Sequence, residues 1–232
     1  MKLQGILGGG TGKLGESVFT NNAGRTIVRQ YNPHVRNPRT ARQQNSRSRF
    51  KMASELAKLF AQPLRIGMPR IGALTSRNLF TSKIIPVSAG VIELSGNDLR
   101  VNYESVMLSK GGMPSLNASG VAYDSSTHKY TITMDNAYNP EAKGYVPPMP
   151  GVAGVVLVLL DGTYENVHVY QALAGNNATV QIEVPSTIAT ACNECYVFAK
   201  WVPEAYNDIQ AETLPWKFPS DQSETEYFEI QG

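Results

Sequence analysis

Histidine and cysteine are scarce, with three His and two Cys in 232 residues. Cys192 and Cys195 supply half of a zinc set. His34, His128 and His168 have no paired spacing with which to complete the four ligands of a structural site. Two cysteines are also too few for a disulfide framework, so a reducing compartment fits. No stretch approaches the about 18–20 consecutive apolar residues of a membrane span. The apolar run near Met1 is too short for a signal peptide, so no direction to secretion is expected. Gly-x-Ser-x-Gly elbows, His-Glu-x-x-His pairs and kinase loops are missing too, and the expectation is that the chain is not an enzyme and carries no cofactor. No internal repeat or heptad array appears.

Acidic residues are nearly absent from the first third. Up to Lys83, 15 Lys and Arg stand against two acids, Glu16 and Glu55; beyond it, six stand against 17. The two parts carry +13 and −11 within a net charge of +2. Arg25, Arg29, Arg36, Arg39, Arg42, Arg47 and Arg49 follow one another with no acid between them. A solvated face usually mixes signs and uses Lys. The planar guanidinium instead suits fixed, bidentate partners such as carboxylate or phosphate. DNA would satisfy these arginines through counterion release. So would the acidic part of a neighbouring copy, and this is the preferred reading because the same chain carries the matching charge. Few aromatics interleave with the arginines, so stacking on single-stranded bases is not expected.

The glycine-rich start, GILGGGTGKLGESV, looks like a phosphate loop. The Walker A pattern fails twice: Leu7 stands where the first Gly belongs, and Leu14 follows Gly12-Lys13. Gly10-Thr11-Gly12-Lys13-Leu14-Gly15 does fit G-x-G-x-x-G, but that pattern works only between a strand and a helix. No useful strand precedes it, and a Gly-containing hairpin follows. Gly8, Gly9, Gly10, Gly12 and Gly15 are therefore read as letting an extended segment lie close to other backbone.

Residues 1–40 read as an extended basic arm. In it Gly24–Tyr31 is an exposed or intermolecular strand after an Asn21–Gly24 turn. Thr40 and Gln43 have the spacing of a capping box, which predicts a helix from Ala41 to Gln62, stopped at Pro63. A second helix is expected from Arg70 to Ser82, within a helical segment 41–86. From 87 to 232 the texture is β. Runs at Gly90–Ser95, Asp98–Tyr103, Ser119–Asp124, Lys129–Met134, Gly154–Leu160, Tyr164–Gln171, Ala178–Val184, Cys195–Val202 and Glu226–Ile230 are separated by turn residues. The fold class is mainly β with an N-terminal α-helical segment: an antiparallel, immunoglobulin-like β-sandwich body plus the arm. The proline-rich stretch 138–150 is a candidate split between two β sub-domains.

Two further readings concern side chains in the β-body. Carboxylates such as Asp98/Glu104 or Asp221/Glu224/Glu226 lie in turns or the tail and read as solvated surface rather than an acid/base pair. Tyr103, Tyr123, Tyr130, Tyr138, Tyr145, Trp201 and Trp216 admit a sugar-binding platform, and with it a carbohydrate-binding or adhesion module. Most sit at strand positions, which favours core or interface.

The ordered elements GKLGESV, AGRTIVRQYNPHVRNPRTARQQNSRSRFKMASELAKLF, IPVSAGVIEL, GVVLVLLDGTYENVHVYQALAGNNATVQIEVP and CYVFAKW resemble an uncharacterised family of Bacteroidetes and the phages that infect them. Its members share a Gly-Lys-x-Gly start, a Val-Arg strand, an Asn-Pro-x-Thr-x-x-Gln capped helix and a C-terminal β-domain. The first 60 residues match most specifically, and the departure falls at Met134-Asp135-Asn136, where members often carry Trp. The resemblance implies a virion component made in the host cytoplasm, a tail or neck ring protein of a crAss-like phage. Its partners would be other copies of itself, portal or tail proteins, and DNA by proximity. The implied assembly interface combines the arm glycines with the seven arginines.

Overall fold

The computed structural model describes residues 11–22, 25–34, 39–68, 74–95, 98–147, 150–174, 177–203 and 222–230. The chain divides into two units, residues 1–45 and residues 46–232.

The front unit differs from the expected extended arm. Three short strands, β1 (Gly12–Leu14), β2 (Ser17–Asn22) and β3 (Arg25–Gln30), form an antiparallel meander. Leu14 pairs with Ser17 across a two-residue turn, and Gly15 adopts φ +59° there. A tight hairpin of this kind needs positive φ at its first central residue, and glycine takes it without steric cost. This is the local reason for Gly15. No described residue lies within 4 Å of where its Cβ, or that of Gly12, would sit. Among the described residues neither glycine serves close backbone approach.

Helix α1 (Ala41–Leu59) starts where the Thr40 Oγ1 accepts from the Gln43 N–H at 3.4 Å, as the capping spacing predicts. It ends earlier than expected. The chain breaks at Phe60 and restarts as α2 (Ala61–Gly67), with Pro63 inside. A proline in the first turn forfeits no helical hydrogen bond, so it opens α2 rather than stopping α1. Helix α3 (Ser76–Ile84) follows, capped by the Thr75 hydroxyl accepting from Asn78 N–H. Residues 69–73, the start of the expected second helix, lie outside the described residues.

The remaining elements are mainly antiparallel strands. A hairpin pairs β4 (Ile92–Ser95) with β5 (Asp98–Val101). One sheet joins β6 (Ala118–Asp124), β7 (Lys129–Met134) and β10 (Thr179–Glu183) in the order β10-β7-β6. A second joins β8 (Gly151–Asp161), β9 (Val167–Leu173), β11 (Cys192–Pro203) and β12 (Glu226–Glu229) in the order β12-β11-β8-β9. A one-turn helix, α4 (Ser186–Ala189), leads into β11.

Strand β8 explains the layering. Its side chains alternate between faces, and both faces are buried. Val156, Val158 and Leu160 join Tyr196, Phe198 and Val202 of β11 in a core with Leu56, Phe60, Leu64 and Phe80 of the helices. Val155, Leu157 and Leu159 join Cys195, Val197 and Trp201 in another with Tyr130, Ile132, Val180 and Ile182 of the smaller sheet. The fold is mainly β with its helical segment first, and the helices form a third layer on the outer face of the larger sheet. Hence the helical segment and the strands share a core instead of standing as separate domains. The strands on either side of 138–150, β7 in one sheet and β8 in the other, line that same second core and so do not stand as separate sub-domains. At about 1.5–3 kcal/mol per buried Val, Leu or Phe, these two cores dominate the stability of the body.

A bulge in β11 between Cys192 and Glu194 shifts the register. Without it, residues three apart would face opposite sides; with it, Cys192 and Cys195 enter the same core. Burial pushes their thiols up to about 11 and about 12 respectively.

Candidate functional site

Registers in the meander place Lys13, Val18 and Arg29 in one row, with Ile27 opposite Thr20 and Arg25 opposite Asn22. Directly opposed residues share a face, so Lys13, Arg25, Ile27 and Arg29 lie on one side. Tyr31 stands beside them, with the Lys13 Nζ 3.6 Å above its ring centre. The other side carries Leu14, Phe19 and Val28. Among the described residues neither side has a buried one: Leu14 is 62% exposed, Ile27 47% and Val28 43%.

The seven arginines do not form one set. Arg25, Arg29, Arg39 and Arg42 belong to the front unit and are exposed; Arg47 and Arg49 belong to the body. Arg47 is exposed as well. Arg49 is half-buried: its Nη1 donates to the Ile85 carbonyl at 3.2 Å, and its Nη2 donates to that of Ile92. It ties α1 to the end of α3 and to β4, a structural use the sequence reading did not foresee. Arg36, Gly8, Gly9 and Gly10 lie outside the described residues. The segment after Gly10 runs into β1 and the β-hairpin, without the helix that a dinucleotide loop requires.

On the body, the fold gathers carboxylates and tyrosines that are distant in sequence. Glu194 on β11 stands directly across from Glu229 on β12. The Tyr164 hydroxyl donates to Glu194 Oε1 at 2.8 Å. The Tyr164 ring stacks on Tyr103, with centroids 4.3 Å apart and planes at 18°. The Tyr196 hydroxyl donates to the Tyr103 carbonyl at 3.0 Å. Tyr164 holds this place with φ +59°, a left-handed conformation uncommon for an aromatic residue. Burial raises the Glu194 carboxyl above its ordinary value; the Tyr164 hydrogen bond opposes the rise, and the charges of Glu229 and Glu104 add to it. Tyr164 is pushed up to about 12, first by its bond to Glu194. Among the described residues nothing donates to Glu194 Oε2, which is shielded from solvent. Pattern and spacing in the sequence give no functional role to Tyr164, Glu194 or Glu229.

Other candidates resolve differently. Both oxygens of Glu226 accept backbone N–H groups, from Asn117 and Ala118, at 2.8 Å each, so this carboxylate fastens the start of β6. Asp98 lies on β5 and Asp221 outside the described residues. Tyr130, Tyr138 and Trp201 are buried, which removes them from any sugar platform; Trp216 lies outside the described residues. Among the described residues, no three His, Cys, Asp or Glu side chains gather as a metal site, and no helix is long and apolar enough to cross a membrane.

Comparison with known proteins gives a family match. A model described as a family of unknown function (DUF6266) covers residues 9–208. No curated protein and no solved structure matches the chain.

Proposed function

We propose that this chain, which belongs to the DUF6266 family, is a structural protein that assembles head to tail with copies of itself, as a tail or neck ring component of a phage virion. The carrying observation is the meander: three paired strands with apolar residues on both faces and, among the described residues, no buried one. A sheet of this size needs a hydrophobic face packed on something to be stable. Its outer strand edge is also open to pairing.

The receiving surface in this reading is the carboxylate and tyrosine cluster of the next copy. Like charges directly opposed on neighbouring strands, as Glu194 and Glu229 are, destabilise a sheet. A guanidinium from Arg25 or Arg29 relieves that repulsion. The stacked Tyr103 and Tyr164 rings offer it a face as well. Since donor and acceptor surfaces differ, the contact is heterologous, and repetition closes it into a ring. The virion placement rests on the resemblance of the N-terminal 60 residues, and the assembly mode on the geometry.

Deleting residues 1–36 leaves both body cores intact and tests the proposal. The mass in solution is expected to fall to that of a monomer, and incorporation into particles to fail. Unchanged mass and incorporation would sink it. The rival reading, duplex DNA binding, draws on the exposed row of Lys13, Arg25 and Arg29. It predicts retention on DNA that weakens steeply with salt.

A further inference from the structure

A groove of about 430 Å³ runs between α1 and α3. Phe50, Ser54 and Lys58 line one wall, four residues apart along a single helix face. Arg77 and Thr81 of α3, followed by Ile85, line the other. The walls are held in place from below, because Arg49 donates to the Ile85 carbonyl. Two properties stand out. Phe50 is 58% exposed, on the helix that also carries the buried Ala53, Leu56 and Ala57. Both charged residues of the lining, Lys58 and Arg77, are cations, and no acid accompanies them. Such a groove suits an acidic segment that inserts an apolar anchor, the mode in which one side chain fills the cleft and flanking carboxylates meet the rim.

We propose that this groove is the docking site for residues 204–221 of a second copy. The inference rests on the assembly reading above and adds a second contact to it. These eighteen residues lie outside the described part of the structure. They carry Glu204, Asp208, Glu212 and Asp221 against a single Lys217, together with Ile209, Leu214, Trp216 and Phe218. No other stretch of the chain outside the described residues combines acids and large apolar side chains in this way. Both ends are fixed at one place: the segment leaves β11 after Pro203 and returns at Gln222, which bridges Lys200 of the same strand. Nine residues out and nine back, at about 3.3 Å each, reach roughly 30 Å from that anchor, far enough to meet a neighbour. This contact also joins the basic part of one copy to the acidic part of the next, so it runs in the same direction as the meander contact.

Charge exchange tests it in the full-length chain. Lys58→Glu with Arg77→Glu makes the groove acidic; Asp208→Lys with Glu212→Lys makes the segment basic. Lys58 and Arg77 are exposed, and a thermal melt of each variant checks that the fold survives. Masses are read by sedimentation over a range of concentrations. Each double variant alone is expected to associate at least tenfold more weakly than wild type. An equal mixture of the two is expected to regain association, because the acidic groove of one now receives the basic segment of the other. A mixture that stays dissociated overturns docking on a second copy. A wild type whose mass responds to Arg25→Glu with Arg29→Glu, but to neither exchange, overturns the groove contact and leaves the assembly reading standing. A wild type that is monomeric at every concentration overturns both.

Discussion

Strands β3 and β8 have the same kind of antiparallel partner and opposite surroundings. Of the six residues of β3, Thr26 alone is half-sheltered and the rest are exposed. In β8, nine consecutive residues, Ala153–Asp161, are buried. Hydrogen bonding is thus no measure of how far a strand supports itself. β8 is held by side chains above and below it, and β3, among the described residues, by the strand at its side. The comparison teaches where stability resides in this chain: residues of the body act on folding, and residues of the meander act on what the folded chain meets.

The largest effect that sharpens the contrast is at the middle of the body. Phe198→Ala opens a cavity between the larger sheet and the helices and is expected to cost about 3–5 kcal/mol. Val28→Ala, on a face with no core behind it, is expected to change stability by less than about 0.5 kcal/mol. Urea unfolding of the two variants measures both. Equal losses would show that the meander has a core of its own and break the comparison.

The arginines give the next test, because two of them share a sequence context and differ in use. Arg49→Ala removes two charged hydrogen bonds to main-chain carbonyls, each of which is left without its donor. A loss of about 1.5–3 kcal/mol is expected. Arg29→Ala removes an exposed side chain and is expected to leave the melting midpoint nearly unchanged while lowering the mass in solution.

Much of this architecture was readable in the residues. Lys129–Met134 alternates cleanly and is β7 to the residue. Thr40 and Gln43 marked the start of α1. The third layer also had a signal: Gly154–Leu160 is apolar at every position, as befits a strand buried on two sides, whereas one covered on a single face would alternate. Strand β2 has no such signal, because Ser-Val-Phe-Thr-Asn-Asn has no face apolar enough to stand out between glycines and turn residues. The break at Phe60 is not legible, because Pro63 reads equally as a stop or as part of a first turn. Nothing local distinguishes Arg49 from Arg47, since the carbonyls that claim it lie 36 and 43 residues away. The pairing of Glu194 with Glu229, and their approach to Tyr103 and Tyr164, exist only once the strand order is known.

That cluster supports the smallest and most discriminating prediction. Glu229→Gln removes one of two charges that face each other across β11 and β12. Glu194 has a raised carboxyl in the folded chain, so it binds its proton more readily there than in the unfolded chain. Its contribution to stability is therefore fully present below the ordinary carboxylate range and lost as pH rises through the raised value. Removing the Glu229 charge takes away part of that loss. At pH 7 the variant is expected to be more stable than wild type by about 0.2–1 kcal/mol. The gap should close at low pH, where Glu194 is protonated, and salt should narrow it at neutral pH. The same substitution removes a carboxylate proposed to receive a guanidinium from the next copy, so it should weaken association while strengthening the isolated fold. Opposite signs in melting midpoint and in mass mark a repulsion that a partner relieves. A gain in stability with unchanged association would make the pair a feature of the body alone, and would remove it from the assembly surface.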